Sequence, residues 1–193
     1  MRLSFLARPT LLLALGAATL APLLGGCGGA PAEPVASYAP FEATDKSFTG
    51  DGPAGWDKDA GDLGGTIGKV TFTQGNATIR LVSDSASSFM GDAMKTSNGP
   101  PPIVALHERG LAKLEELYSS PETQPAKDMP SAVGAARYSE FTADGGKTHG
   151  YRCTMMGPQR VVYATTSCPE SDWATLKPAF SKVIGSLKAG SGP

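Results

Sequence analysis

Residues 161–187, VVYATTSCPESDWATLKPAFSKVIGSL, change their pattern of apolar residues halfway along. Apolar and polar side chains alternate over residues 161–167, which is typical of a strand with one buried face. Further on, apolar residues recur at spacings of three and four, which predicts one face of a helix. That face would hold Trp173, Leu176, Phe180, Val183, Ile184 and Leu187. We therefore expect a strand followed by an amphipathic helix that packs against a sheet.

Prolines accompany both of the helices that the sequence predicts. Pro178 lies inside the C-terminal helical pattern, where a proline removes a backbone hydrogen bond and costs about 3 kcal/mol. Either the helix is kinked there, or a short turn over residues 170–174 precedes a helix that begins near Leu176. The earlier helix is predicted from Ile103 onward, and Pro102 occupies a position that a first helical turn tolerates. Its apolar face would hold Ile103, Leu106, His107, Leu111, Leu114 and Leu117.

Alternating segments predict an antiparallel sheet around these helices. A hairpin is expected at Gly75-Asn76, between strands at residues 69–74 and 77–83. Two glycine-containing turns separate three further strands, at residues 136–141, 149–156 and 161–167. The order of strands, helix, meander and helix predicts the α+β class. One domain would hold an antiparallel β-sheet with the amphipathic helices packed on it.

Two segments of the sequence resemble the PsbP-like family. The first is SFTGDGPAGW at residues 47–56, in which a short strand leads into Pro-x-Gly-Trp. The second is the strand and helix of residues 161–187, with a Trp, a Phe and a final Ser-Leu. The resemblance spans residues 45–188 and implies an α/β sandwich. The family includes an extrinsic photosystem II protein, a Ran-binding nuclear import factor and bacterial lipoproteins, so the resemblance implies a fold more than a task.

The N-terminal sequence MRLSFLARPTLLLALGAATLAPLLGGC predicts export and lipidation. Arg2 and Arg8 precede an apolar stretch, residues 10–24, that is too short and too interrupted by glycine for a transmembrane helix. This arrangement is typical of a signal peptide. Leu24-Gly25-Gly26-Cys27 resembles the bacterial lipobox. This resemblance implies cleavage after Gly26 and attachment of diacylglycerol to the Cys27 thiol. Two or three acyl chains would then hold the protein stably on a membrane.

The expected organisation is a signal peptide over residues 1–26, a lipidated flexible tether over 27–41, one domain over 42–188 and a disordered tail over 189–193. Gly28 would be the second residue of the mature chain, and a glycine there resembles the lipoproteins that are sorted to the outer membrane by default. We therefore expect a lipid-anchored protein on the non-cytoplasmic side of the cell envelope, on the outer membrane and facing the periplasm. The formal net charge is −1. The sequence has no cluster of basic residues of the kind that binds nucleic acid.

No motif in the sequence predicts catalysis, a cofactor or a metal. The two histidines, His107 and His149, fall in different predicted elements, and His107 lacks the H-E-x-x-H spacing of a zinc-binding helix. The acidic segment DKDAGD at residues 57–62 lacks the ligands of an EF-hand, which predicts a solvated loop. The glycines that follow it do not have Walker spacing. A non-enzymatic protein is therefore the favoured hypothesis.

Cys153 and Cys168 are an even pair once Cys27 is lipidated, and an oxidising compartment favours a disulfide between them. Strand geometry opposes this pairing, because Cys153 would face Ala164 while Cys168 lies four residues further along the same face. That offset is about 13 Å, whereas a disulfide requires Cα atoms within about 7 Å. A disulfide closed by a bulge and a pair of free buried thiols both remain open.

Two functions from different classes fit these patterns. The first is a non-catalytic, lipid-anchored envelope protein that binds or stabilises another envelope component. The alternative is a lipoprotein that binds a small ligand or a polysaccharide, with Trp56, Tyr151 and Tyr163 lining a groove, because aromatic faces stack on sugars. An exposed row of aromatic side chains would favour the alternative, and buried tryptophans would favour the first function.

Overall fold

The computed structural model describes residues 32–62, 67–85 and 101–190. Eleven strands and two α-helices lie in these ranges. In chain order they are β1 (Tyr38–Glu42), β2 (Phe48–Pro53), β3 (Asp57–Asp62), β4 (Gly68–Gln74), β5 (Ala77–Ser85), α1 (Pro102–Ala112), β6 (Glu122–Thr123), β7 (Lys127–Met129), β8 (Ala135–Ala143), β9 (Thr148–Met156), β10 (Arg160–Pro169), α2 (Trp173–Ser186) and β11 (Lys188–Ala189). A 3₁₀ turn at Lys113–Glu116 extends α1, and another at Glu170–Asp172 leads into α2.

The strands form two sheets. The larger has the order β3-β4-β5-β10-β9-β8-β6, with β7 also paired to β8, and its strand pairs are antiparallel. The smaller has the order β1-β2-β11. One face of the larger sheet carries α2 and the opposite face carries α1. The α+β class, with helices packed on an antiparallel sheet in one domain, is therefore confirmed.

The main core lies between α2 and the larger sheet. Alternate residues of β5 are buried, which is the period of a strand with one covered face. On α2 the buried apolar residues are Trp173, Leu176, Ala179, Phe180, Val183 and Ile184. The ring of Phe180 packs against Trp56 and Trp173, at centroid distances of 6.5 and 6.2 Å. The predicted apolar face of this helix is confirmed.

The second core, under α1, is smaller and more polar. Its apolar part contains Leu114, Phe141 and Ala143, with Leu111 and Tyr118 packed against them. The side chains that β9 presents to α1 include Arg152 and Thr154, both buried. A sheet face with buried polar groups under a helix is the setting of the candidate site.

Most predicted elements occur at the predicted places. Gln74 pairs with Ala77 across the expected hairpin turn, and Cys153 pairs with Ala164 as the meander geometry required. The helix α2 begins at Trp173 and runs through Pro178, so the alternative of a helix that begins near Leu176 is wrong. The turn expected over residues 170–174 is the 3₁₀ turn at Glu170–Asp172.

Three segments that were expected to be irregular are strands. Tyr38–Glu42, assigned to the tether up to residue 41, pairs with β2, and Ala32 and Val35 also pack on the core. The acidic segment Asp57–Asp62 is the edge strand β3. Ala189, assigned to the tail, pairs with Phe48. Backbone pairing orders these short segments although they lack an apolar pattern. The signal peptide, Cys27 and most of a segment at 85–94, expected to be a short helix or a loop, lie outside the described residues.

Candidate functional site

A cavity of about 250 Å³ lies between α1 and the sheet. Its floor is built from three neighbouring strands, because the register pairs Thr165 of β10 with Arg80 of β5 on one side and with Arg152 of β9 on the other. Directly paired residues share a face of an antiparallel sheet. The remaining lining residues are Ile67, Val82, Asp84, Arg109, Gly110, Lys113, Glu116, Leu117 and Tyr163.

Arg152 is the deepest charged group of this cavity, with 8% of its surface exposed. Its Nη1 donates a hydrogen bond to Oγ1 of Thr165 at 2.6 Å, and its guanidinium lies 4.8 Å from the ring centroid of Tyr163. Burial, assisted by the charge of Arg80, lowers the pKa of Arg152 to about 10, so the group stays cationic at neutral pH. Its Nε is buried and has no hydrogen-bond partner among the described residues.

Gly110 allows α1 to pass directly over this guanidinium. A Cβ at that position would lie 3.0 Å from both Nε and Nη2 of Arg152. Such contacts are tighter than ordinary van der Waals packing, so a larger residue would push the helix and the arginine apart. The close approach keeps the buried Nε away from solvent.

The cavity wall has a net positive charge. Four cationic side chains line it, Arg80, Arg109, Lys113 and Arg152, against the two carboxylates of Asp84 and Glu116. Leu117 also lines it, and this is the large apolar side chain that the described ranges leave exposed, at 46%. The cavity therefore combines a cationic floor with an apolar contact near solvent.

His107 lies on the buried face of α1, with 1% of its surface exposed. Its Nδ1 lies 3.2 Å from Oγ1 of Thr154 and its Nε2 lies 3.1 Å from Oγ of Ser139. Burial, followed by the charges of Arg137 and Arg152, lowers the pKa of His107 to about 4. A neutral imidazole with both nitrogens engaged has a packing role.

His149 belongs to a different cluster, on the opposite face of the sheet. Its ring stacks on Trp173 at 3.9 Å, Nδ1 lies 2.6 Å from a carboxylate oxygen of Glu170, and Nε2 lies 2.8 Å from one of Glu140. Glu140 also accepts a hydrogen bond from Lys177 at 3.0 Å. Burial alone would raise the pKa of Glu140, but the hydrogen bonds from Lys177 and His149 outweigh it and lower that pKa. These contacts link α2 to β8 and β9.

The two cysteines are free and buried, so the disulfide considered from the sequence is absent from the structure. Their positions in the ladder explain this, since Cys153 pairs with Ala164 and Cys168 with His149. Burial raises the pKa of both thiols to about 12. A thiol with such a pKa is a poor nucleophile at neutral pH.

The three aromatic residues proposed for a ligand groove do not line one groove. Trp56 and Tyr151 are each 7% exposed and belong to the core around α2. Tyr163 lies on the other face of the sheet, in the cavity under α1. That groove prediction is therefore wrong, because residues 151 and 163 point to opposite faces in the observed register.

The cationic floor of the cavity was not predicted from the sequence. Arg80 and Arg152 occupy alternate strand positions, which normally indicates side chains that face solvent. They are separated by 72 positions in the chain and meet only through the strand order β5-β10-β9. The one available signal was the arginine in each of two predicted strands.

Comparisons with known proteins support the fold. No family model and no curated protein matches the sequence. A similar solved structure is cyanobacterial PsbP (CyanoP) from Synechocystis sp. PCC 6803, with a TM-score of 0.58 and 15% identity over 86% of this chain and 98% of that chain. LpqN, involved in cell envelope biogenesis of Mycobacterium tuberculosis, has a TM-score of 0.50 and 13% identity over 80% and 91%. The Ran-binding protein Mog1p of Saccharomyces cerevisiae has a TM-score of 0.52 and 8% identity over 79% and 95%.

These similarities show a shared fold, and the PsbP-like fold expected from the sequence is confirmed. Within the described ranges, no helix has the length and apolar character needed to cross a membrane. In the same ranges, no group of three or more His, Cys, Asp or Glu side chains is arranged to hold a metal ion.

Proposed function

We propose that this chain is a non-catalytic protein of the bacterial envelope, anchored by lipid on Cys27, whose α1 face binds another envelope component. The observation that carries the proposal is the charged cavity under α1, with Leu117 exposed beside it. Cavities with convergent polar groups are the usual binding sites of a domain. LpqN, which shares the fold, is involved in cell envelope biogenesis, and this supports a place in the envelope for the present chain.

The non-catalytic part of the proposal rests on the state of the reactive side chains. His107 is buried and neutral, and His149 is held between two carboxylates and a tryptophan ring. Cys153 and Cys168 are buried thiols with a pKa of about 12. Nucleophilic or acid–base catalysis requires such groups to reach a substrate. Each of them instead packs or pairs inside the domain.

The cavity also supports the second candidate function, binding of a small ligand. Its volume of about 250 Å³ suits a small molecule or one end of a larger molecule. Trp56, Tyr151 and Tyr163 do not form a binding surface for a polysaccharide, because the first two rings are buried in the α2 core.

Site-specific photo-crosslinking tests the proposed binding face. The photoreactive residue p-benzoylphenylalanine replaces Leu117 in the full chain, expressed in the envelope of the bacterium that makes it. The matched control carries the same residue at Ser181, which is exposed on α2 at the other face. We expect a discrete adduct of one envelope component from position 117 and not from 181. Equal adducts from both positions, or none from 117, would refute a binding face at α1.

A further inference from the structure

We propose that the cavity under α1 binds an organic anion, one carboxylate or phosphate group carried on an apolar body. This inference deepens the second candidate function and uses the same site. Arg152 and Arg80 would hold the anionic group, and the apolar lining near Leu117 would contact the rest of the molecule.

The first step of the argument is the charge of Arg152. A guanidinium that is 8% exposed has lost most of its hydration, which is unfavourable unless an opposite charge or full hydrogen bonding compensates. Its hydrogen bond to Thr165 and its contact with the Tyr163 ring involve uncharged groups. Among the described residues, no carboxylate pairs with it, and its Nε has no acceptor. Arg152 is therefore a desolvated cation without a paired anion in the described part of the chain.

The second step is the position of Arg80. It is paired with Thr165 from the other side, so the two arginines flank one threonine on the same face of three consecutive strands, β5, β10 and β9. The Nε of Arg80 is also buried without a hydrogen-bond partner among the described residues. An oxyanion bound between these two guanidinium groups would relieve their mutual repulsion. Arginine binds carboxylate and phosphate oxygens through parallel hydrogen bonds, which a single chloride or water cannot reproduce.

The third step concerns the remainder of the ligand. Ile67, Val82 and Leu117 give the cavity an apolar side, and the Tyr163 ring adds an aromatic surface. An inorganic anion would leave this surface in contact with water, whereas an attached hydrocarbon would cover it. Asp84 and Glu116 reduce the net formal charge of the wall to two positive charges, which suits one anionic group better than a polyanion. The volume admits the acidic group and a short apolar segment.

Binding of small matched compounds tests the proposal. The full lipidated chain, in nanodiscs of neutral phosphatidylcholine, is titrated calorimetrically with hexyl phosphate, hexanoate, inorganic phosphate and hexanol. We expect hexyl phosphate or hexanoate to bind, the free phosphate to bind at least 10-fold more weakly, and hexanol not to bind. Equal binding of hexanol and hexanoate would refute the anionic subsite. Phosphate binding as tightly as hexyl phosphate would refute the apolar part of the ligand.

Two variants separate binding from folding. Arg152→Met is expected to lower affinity for the anion at least 10-fold and to leave the melting temperature of the unliganded protein unchanged or higher, because it removes an uncompensated buried charge. Arg137→Gln is the matched control, since Arg137 lies outside the cavity and pairs with Asp128 at 2.9 Å. If Arg152→Met does not fold, Arg80→Gln provides the same comparison. Wild-type affinity in the folded Arg152 or Arg80 variant would overturn the proposal.

The anion-binding test and the crosslinking test can fail separately. A crosslink from Leu117 without any anion binding would leave the α1 face as a binding surface and refute only the anionic ligand. Anion binding without the crosslink would support the small-ligand function and refute the proposed macromolecular partner at this face.

Discussion

His107 makes the stability of the protein depend on pH in a defined window. Its pKa is lowered from 6.5 to about 4 in the folded chain, first by burial and then by Arg137 and Arg152. Between these values the unfolded chain takes up a proton that the folded chain does not. The contribution of His107 to the free energy of unfolding is therefore expected to be fully present above pH 6.5. It should fall by about 3 kcal/mol as the pH drops from about 6.5 to 4.

Denaturant unfolding of the wild type and of His107→Gln, measured between pH 4 and 7, checks this prediction. The amide keeps hydrogen-bonding groups toward Thr154 and Ser139 but cannot titrate, so the variant should lose most of the slope. His149→Gln is the control, and the slope due to His107 should persist in it. Parallel pH profiles for the wild type and the His107 variant would contradict the assignment.

The helix α2 contributes more to stability than its length suggests, because one side chain joins several parts of the core. Phe180 is fully buried and contacts the rings of both Trp56 and Trp173. Phe180→Ala is expected to lower the free energy of unfolding by about 3–5 kcal/mol. Ser181→Ala, on the exposed side of the same helix, should change it by less than about 0.5 kcal/mol. Equal losses in thermal or denaturant melts would show that the helical phase is wrong.

Elements with a strong apolar period could be predicted from the sequence, and edge elements could not. The two helices and the hairpin at Gly75-Asn76 bury one face, and their apolar residues recur accordingly. The meander strands were also predicted from alternation, although both faces of β9 and β10 are buried. The strands β3 and β11 have no such period, because backbone pairing at a sheet edge orders them. The strand β2 contains Gly52, where a Cβ would lie 2.2 Å from the Phe72 ring. That glycine suggests a turn in the sequence and is a site of close packing in the fold.

The candidate site could not be predicted because it depends on strand order in the whole molecule. Arg80 and Arg152 become neighbours only when β10 enters between β5 and β9. Their burial depends further on α1, whose Gly110 permits the close approach. An alternating pattern shows which side chains share a face, but it does not show that a helix covers the polar face. The sequence therefore predicts the strands that carry the two arginines, but not that the arginines meet and are buried.

Anchoring through Cys27 is the prediction on which the proposed location depends. The sequence LGGC at residues 24–27 predicts cleavage before the cysteine and acylation of its thiol. The full chain, expressed in a bacterium, is expected to sediment with membranes, and Cys27→Ser should be released or remain unprocessed. Cys168→Ser, which removes a buried thiol, is the matched control and should still sediment. Intact-mass measurement that finds no acyl group, or another N-terminal residue, would contradict the anchor.

The arrangement of potential ligands in the described part of the chain predicts that folding does not require a transition metal. His107 lies on the buried side of α1, whereas His149, Cys153 and Cys168 lie on the α2 face of the sheet. The sheet therefore separates His107 from the other three groups. On the α2 face, the nitrogens of His149 already contact Glu140 and Glu170. The Sγ of Cys153 lies 3.6 Å from the Met129 sulfur.

A structural zinc site needs four converging ligands, and its binding energy would contribute directly to folding. We therefore expect the purified full chain to contain less than about 0.1 zinc per molecule and to melt at the same temperature with and without EDTA. His149→Gln should lower the melting temperature equally in both conditions, because its contacts are with protein carboxylates and Trp173. One zinc per chain, lost together with the fold on chelation, would overturn this assignment. The zinc ligands would then be sought by mutating the two buried cysteines, since their thiols are the strongest zinc ligands in the described fold.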